Sequence, residues 1–85
     1  MNIRYSSNFK KQYKKLSKNV KKKFGERIKI LLKNPRSSSL RIHKLSGKLQ
    51  NSWSMNITGD IRAVFDHDKN NIFFITIGTH SELYK

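Results

Sequence analysis

Apolar residues return at helical spacing in the first third of the chain and at strand spacing in the last third. Phe9, Tyr13 and Leu16 fall at i, i+4 and i+7, which places them on one stripe of an α-helix. Ser6 or Ser7 stands where that helix needs an N-cap. Ser17 or Asn19 offers a second cap, and Val20, Phe24, Ile28, Leu31 and Leu32 carry the helical period on to about Lys33. Asn34-Pro35 stops it, because the proline ring disfavours helical geometry in the residue before it. Gly25 lies inside the second helix, where glycine costs roughly 1 kcal/mol against alanine. Its expected use is close packing of the two helices. Ahead of them, residues 1–5 read as a short strand with Ile3 and Tyr5 on one face.

After the polar loop Arg36-Ser37-Ser38-Ser39 the period changes to two. Leu40, Ile42 and Lys44 alternate with Arg41, His43 and Leu45, a weak strand pattern, and Ser46-Gly47-Lys48 reads as a turn. Trp53, Met55 and Ile57 alternate more clearly, up to the turn Thr58-Gly59-Asp60. Residues 61–66 form the next strand, Asp68-Lys69-Asn70-Asn71 a hairpin turn, and residues 72–77 a buried, β-branched and aromatic strand that Gly78 is expected to break. The expected order is β-α-α-β-β-β: one α+β domain over residues 1–85, a helical hairpin laid on an antiparallel sheet.

Charge changes the picture. The chain of 85 residues has a formal net charge of +14. Sixteen Lys and Arg face Glu26 alone in residues 1–48, whereas residues 49–85 hold three against four acids. Self-repulsion on that scale points to a polyanionic partner and to salt-dependent binding. On the predicted helices Lys10, Lys11, Lys14, Lys15, Lys18, Lys21, Lys22 and Lys23 face water or that partner. Nine aromatic residues argue against disorder. The absence of cysteine removes disulfides and thiolate metal sites and suits a cytoplasmic protein. No apolar stretch reaches the ~20 residues of a membrane span, and the N-terminus lacks the apolar region of a signal peptide.

Candidate chemistry gathers at the strand ends. His80 leaves the last strand just after Gly78, with Tyr84 close behind. A histidine titrates near neutrality and moves protons, and a tyrosine ring stacks on a base. RNA is cut without a metal when its own 2′-hydroxyl attacks the adjacent phosphate, which requires a base, an acid and a cation for the developing charge. His80 is the candidate acid. Arg62, in mid-strand between apolar neighbours, can hold the phosphate bidentately or pair with Asp60 or Asp66. His43 can act as base, contact phosphate or hydrogen-bond within the fold, and Arg41, Lys44 and Lys48 around it can hold RNA backbone. Trp53 is read as core ahead of base-stacking, His67 as having no role, and Glu82 as orienting His80 or exposed. His43, His67 and His80 lack the spacing of metal ligands, so no cofactor is expected.

Three segments carry a resemblance: His43-Lys44-Leu45-Ser46-Gly47, Trp53-Ser54 through Asp60-Ile61-Arg62-Ala63-Val64-Phe65, and Ile77-Gly78-Thr79-His80-Ser81-Glu82-Leu83-Tyr84. In this order the chain resembles the RelE/YafQ/YoeB toxins of bacterial type II toxin–antitoxin systems, over essentially its whole length and closest to the YafQ-like branch. The resemblance implies a fold like that of small microbial ribonucleases, cleavage of mRNA in the ribosomal A site, and silencing by a cognate antitoxin. It aligns His80 with a catalytic histidine, Tyr84 with the aromatic residue after it, His43 with an upstream histidine, Asp60 with an acidic residue and Arg62 with a phosphate-binding arginine. Where YoeB-like members carry a glutamate, this chain has Ser39, which leaves the base role to His43, Asp60 or a lysine. RelE itself relies on lysines and arginines. The lysine-rich helices suit ribosomal RNA and also an acidic antitoxin segment. Two alternatives share the fold or the charge: a ParE-like inhibitor of DNA gyrase, and a non-catalytic basic nucleic-acid-binding domain.

Overall fold

A computed structural model describes residues 2–45 and 52–83. Two helices and a short third one pack with a five-stranded sheet. The order is β1 (Asn2–Tyr5), α1 (Ser7–Lys14), α2 (Lys18–Lys33), a 3₁₀ turn (Ser38–Leu40), β2 (His43–Lys44), β3 (Trp53–Asn56), β4 (Ile61–Asp68), β5 (Asn71–Thr79) and α3 (His80–Leu83). Across the sheet the strands run β1-β5-β4-β3-β2. β2 to β5 are antiparallel neighbours, and β1 joins the edge of β5 in parallel. The expected α+β class holds, with one strand more after the helices than the expected order allowed. That strand is β2, the weakly patterned segment, and it is only two residues long.

Both helices start where the sequence places a cap. The Ser6 hydroxyl accepts from the Phe9 amide at 2.9 Å and the Ser17 hydroxyl from Val20 at 3.3 Å, each satisfying an amide that the first turn leaves without a partner. The helical stripes meet the sheet in an aromatic cluster. Phe9 packs against Phe24 at 5.5 Å between ring centroids and against Phe74 of β5 at 5.6 Å. Met55, Ile57, Ala63, Phe65 and Ile77 complete this face, and Leu31 and Leu40 close it.

Gly25 departs from expectation. It is exposed, and a Cβ built there would meet nothing within 4 Å, so it does not mediate close helix packing. Lys21 also departs: it is half-buried, with its ammonium 5.5 Å from the centre of the Tyr13 ring.

Gly78 does not break the last strand. β5 runs through it to Thr79, with Gly78 opposite Arg62. The strand instead carries a bulge: Val64 pairs with Thr76 but Phe65 with Phe74, so Ile75 is the extra residue. The bulge resets the alternation, which lets Phe74 and Ile77 both point into the core although they are three residues apart. It also leaves Thr76 and Gly78 on the opposite face. α1 covers the part of β5 that β1 is too short to reach. The Ser6 hydroxyl donates to the Ile75 carbonyl, and the Gln12 side-chain oxygen Oε1 accepts from the Ile77 amide and the Thr76 hydroxyl, both at 2.9 Å.

Candidate active site

Strand register brings the candidate residues to the sheet face opposite the aromatic core. His43 stands opposite Ser54, Ser54 opposite Val64 and Val64 opposite Thr76. One step along the strands, Asn56, Arg62 and Gly78 form the next row. Directly opposed residues share a face, so His43 and Arg62 point to the same side from strands two apart. His80 begins α3 just past the end of the second row.

His43, Asn56, Arg62 and His80 line one open cleft of about 760 Å³. Arg62 and Asn56 come from the sheet, His80 from the start of α3, and the stretch from Arg41 to Leu45 forms the remaining wall. His43, His80, Arg41 and Lys44 are exposed and Arg62 half-buried. The structure thus brings together His80, Arg62, His43, Arg41 and Lys44. Asp60 is exposed in the β3–β4 turn, where its amide donates to the Thr58 hydroxyl at 3.3 Å, and it is not among the cleft-lining residues. Lys10, Lys11, Lys14, Lys15 and Lys18 are exposed on and just after α1. Lys48 and Tyr84 lie outside the described residues.

Several local contacts tune the site. The Nδ1 atom of His43 lies 3.3 Å from the Arg41 carbonyl. A carbonyl only accepts, so this contact favours the tautomer with the proton on Nδ1 and leaves the Nε2 lone pair to take a proton. Arg41 itself has φ 50 and ψ 48, the one left-handed non-glycine backbone among the described residues, and that turn aims its carbonyl at His43. Arg62 donates from Nη1 to the Asn56 side-chain oxygen; it does not take up the pairing with Asp60 or Asp66 that its sequence neighbours leave open. Asp66 accepts from the Ser52 hydroxyl at 2.7 Å.

α3 is held by a reciprocal cap. The Glu82 carboxylate accepts from the Thr79 amide at 2.8 Å, and the Glu82 amide donates to the Thr79 hydroxyl at 3.2 Å. This capping box fixes the turn on which His80 sits. Gly78 is where the turn folds back over the strand: a Cβ there would come 3.0 Å from Glu82 Oε1 and 3.6 Å from Leu83 Cδ2.

Asn56 is a site residue that the sequence pattern does not single out. A signal for it exists, since alternation with Trp53, Met55 and Ile57 puts Asn56 on the other face and the tight β3–β4 turn sets it opposite Arg62. Among the described residues, no three His, Asp or Glu side chains stand close enough to share a metal ion, and no helix is long and apolar enough to cross a membrane.

A family profile described as the YafQ bacterial toxin of type II toxin–antitoxin systems matches residues 1–85. Among solved structures, YafQ from Escherichia coli strain BL21(DE3) superposes with a TM-score of 0.84 at 20% identity, covering 99% of this chain and 98% of that one. The E. coli DinJ–YafQ toxin–antitoxin complex gives 0.81 at 20% identity, with 99% and 97% covered. A copper-bound mutant toxin from Helicobacter pylori gives 0.77 at 22%, with 99% of both chains covered. At these identities the structural likeness speaks for the fold. No curated protein sequence matches the chain.

Proposed function

The chain belongs to the YafQ family of bacterial type II toxin–antitoxin toxins, and from that membership we propose that it is an endoribonuclease that cuts mRNA in the ribosomal A site and so inhibits translation. The observation that carries the reading is the cleft in which His43, Arg62 and His80, from three separate elements, meet on one face.

In this mechanism the Nε2 atom of His43 takes the proton of a 2′-hydroxyl, whose oxygen attacks the adjacent phosphorus. Arg62, braced by Asn56, holds the non-bridging oxygens as negative charge builds on them. His80 gives its proton to the 5′-oxygen as the P–O5′ bond breaks. The products are a 2′,3′-cyclic phosphate and a free 5′-hydroxyl; His43 gains one proton and His80 gives one, so both transfers run through the protein and need no metal. Asp60, in the β3–β4 turn outside the cleft lining, or a lysine is the alternative base. Tyr84 stacks on a base beside the cut. Arg41, Lys44 and Lys48 hold the RNA backbone, and the α1 lysines dock ribosomal RNA. DinJ forms a complex with YafQ in E. coli; by analogy the partner that silences this chain is a cognate antitoxin with an acidic or amphipathic segment.

The test is a reconstituted bacterial translation reaction with a defined message, in which new 5′ ends are mapped by primer extension. New ends are expected with the wild-type protein and ribosomes, and a loss of about 10²–10⁴-fold in rate with His80→Ala. Cuts without ribosomes would make it a free ribonuclease. No cuts from folded protein would overturn the reading in favour of a ParE-like action on gyrase or of simple binding. Replacing His43 and Asp60 separately identifies the base, as the larger rate loss belongs to it.

A further inference from the structure

A second cavity, of about 670 Å³, opens between the segment that follows α2, from Pro35 to Ser38, and the β4–β5 hairpin. Its floor is the edge of the core, with Leu31, Phe65 and Ile72 nearly inaccessible to solvent. Trp53 lines one wall, half-buried, with the His67 ring 5.8 Å away and the Lys44 ammonium 6.0 Å from its own ring centre. Exposed Arg36, Arg41 and Lys69 also line it, against one carboxylate, Asp68. Arg41 and Ile42 line both this cavity and the catalytic cleft, so the two, on opposite faces of the sheet, meet beside the edge strand β2.

An apolar floor with two adjoining rings suits a flat aromatic group. Three cations at the mouth suit an anion attached to it. Asp68 and Asn71 offer polar atoms for the edge of a ring. A flat heteroaromatic ring joined to a phosphate is a nucleotide. We propose that this cavity is a nucleotide subsite, which takes the base of a flanking RNA residue, after the strand has passed over the β2 edge from the cleft, against Trp53 and His67 while Arg41 and Arg36 hold its phosphate. The inference rests on the ribonuclease reading, and it assigns to His67 and Trp53 a role in choosing the sequence that is cut. Arg41 then holds consecutive stretches of one strand, because it belongs to both cavities.

Trp53 is the sole tryptophan of the chain, so its fluorescence reports on this cavity. The probe is a 2′-O-methylated RNA trinucleotide, which binds but cannot be cut because the attacking hydroxyl is blocked. Titration is followed by Trp53 emission and by amide NMR shifts. The expected result is quenching together with shifts at His67, Lys69 and Asn71. A His67→Ala, Arg36→Gln double variant, with both changes at exposed positions, should bind at least about fivefold more weakly, as expected when a stacking ring and a phosphate-binding cation are both removed. Shifts confined to His43, Arg62 and His80, with Trp53 emission unchanged, would overturn the subsite and leave the ribonuclease reading standing. No response in either cavity would overturn the subsite and count against the RNA reading as well. A Trp53 response to an acidic amphipathic peptide but not to the RNA would overturn the subsite in favour of a protein partner.

Discussion

His80 is legible in the sequence as a histidine just past a strand, but what positions it is not. Gly78 reads as a strand breaker because glycine interrupts β pattern, and the structure gives it a different duty. Gly78 continues β5 and leaves room for α3 to fold back, with Glu82 closing the cap on Thr79. Gly78→Ala places a methyl group 3.0 Å from Glu82 Oε1, so the capping carboxylate has to give by a few tenths of an ångström and its bond to the Thr79 amide is disturbed. The expected outcome is loss of the cap, worth about 1 kcal/mol, and so a fall of about 4–8 °C in melting temperature for a domain of this size. Cleavage in the translation assay should fall by at least about tenfold, because His80 loses its position; unchanged cleavage would detach the cap from the chemistry. Tyr5 gives a second test at this scale. Burial and, secondarily, the neighbouring Tyr13 raise its pKa above 10.0. The unfolded chain therefore loses this proton first. The stability tied to protonated Tyr5 is whole below pH 10.0 and is lost as pH rises toward the higher folded value. Urea denaturation across the alkaline range should show Tyr5→Phe losing less stability than the wild type does.

Among the elements, the two helices and β3 to β5 follow from periodicity and capping, since Ser6, Ser17 and Asn34-Pro35 mark real ends. Three features did not follow, each for a physical reason. β2 is so short that its pairing with β3, rather than its own alternation, defines it. The parallel pairing of β1 with β5 joins residues about seventy apart, a contact that no local pattern encodes. The bulge at Ile75 is hidden because residues 72–77 are apolar on both faces of the strand. That bulge sets which face Gly78 takes, and so the direction in which the chain leaves toward His80. Helix α1 substitutes for a strand beside the upper part of β5, and Gln12 is the residue that does so. Gln12→Leu removes the acceptor for the Ile77 amide and the Thr76 hydroxyl. An amide left without a partner costs about 1–3 kcal/mol, so the urea midpoint should fall accordingly. Hydrogen exchange should quicken at Ile77 before it does in the β3–β4 pair; equal protection throughout would show that α1 does not secure this edge.

At the scale of the whole molecule, charge and chemistry are separated along the chain but not in space. The basic excess lies in residues 1–48, while Arg62 and His80 come from the near-neutral remainder. A radius of gyration of 11.9 Å is about one and a half Debye lengths at physiological salt, where that length is about 8 Å, and well under the ~30 Å it reaches at about 0.01 M salt. The field of the exposed α1 lysines therefore extends over much of the molecule at low salt and is cut off as salt rises. Steering by these lysines and proton transfer in the cleft should respond differently to the same change. Replacing Lys10, Lys11, Lys14, Lys15 and Lys18 with glutamine is expected to weaken ribosome association, measured by co-sedimentation, most strongly at low salt. The slope of log affinity against log salt should flatten by roughly 0.7–0.9 for each phosphate that the variant no longer neutralises. At saturating protein the cleavage rate on ribosomes should stay near that of the wild type, since none of these residues lines the cleft. Unchanged association would mean that the α1 face does not dock the ribosome, and would leave it to the antitoxin or to solvent. A lower rate at saturation would place a lysine in the chemistry instead, as the base that the Ser39 position does not supply.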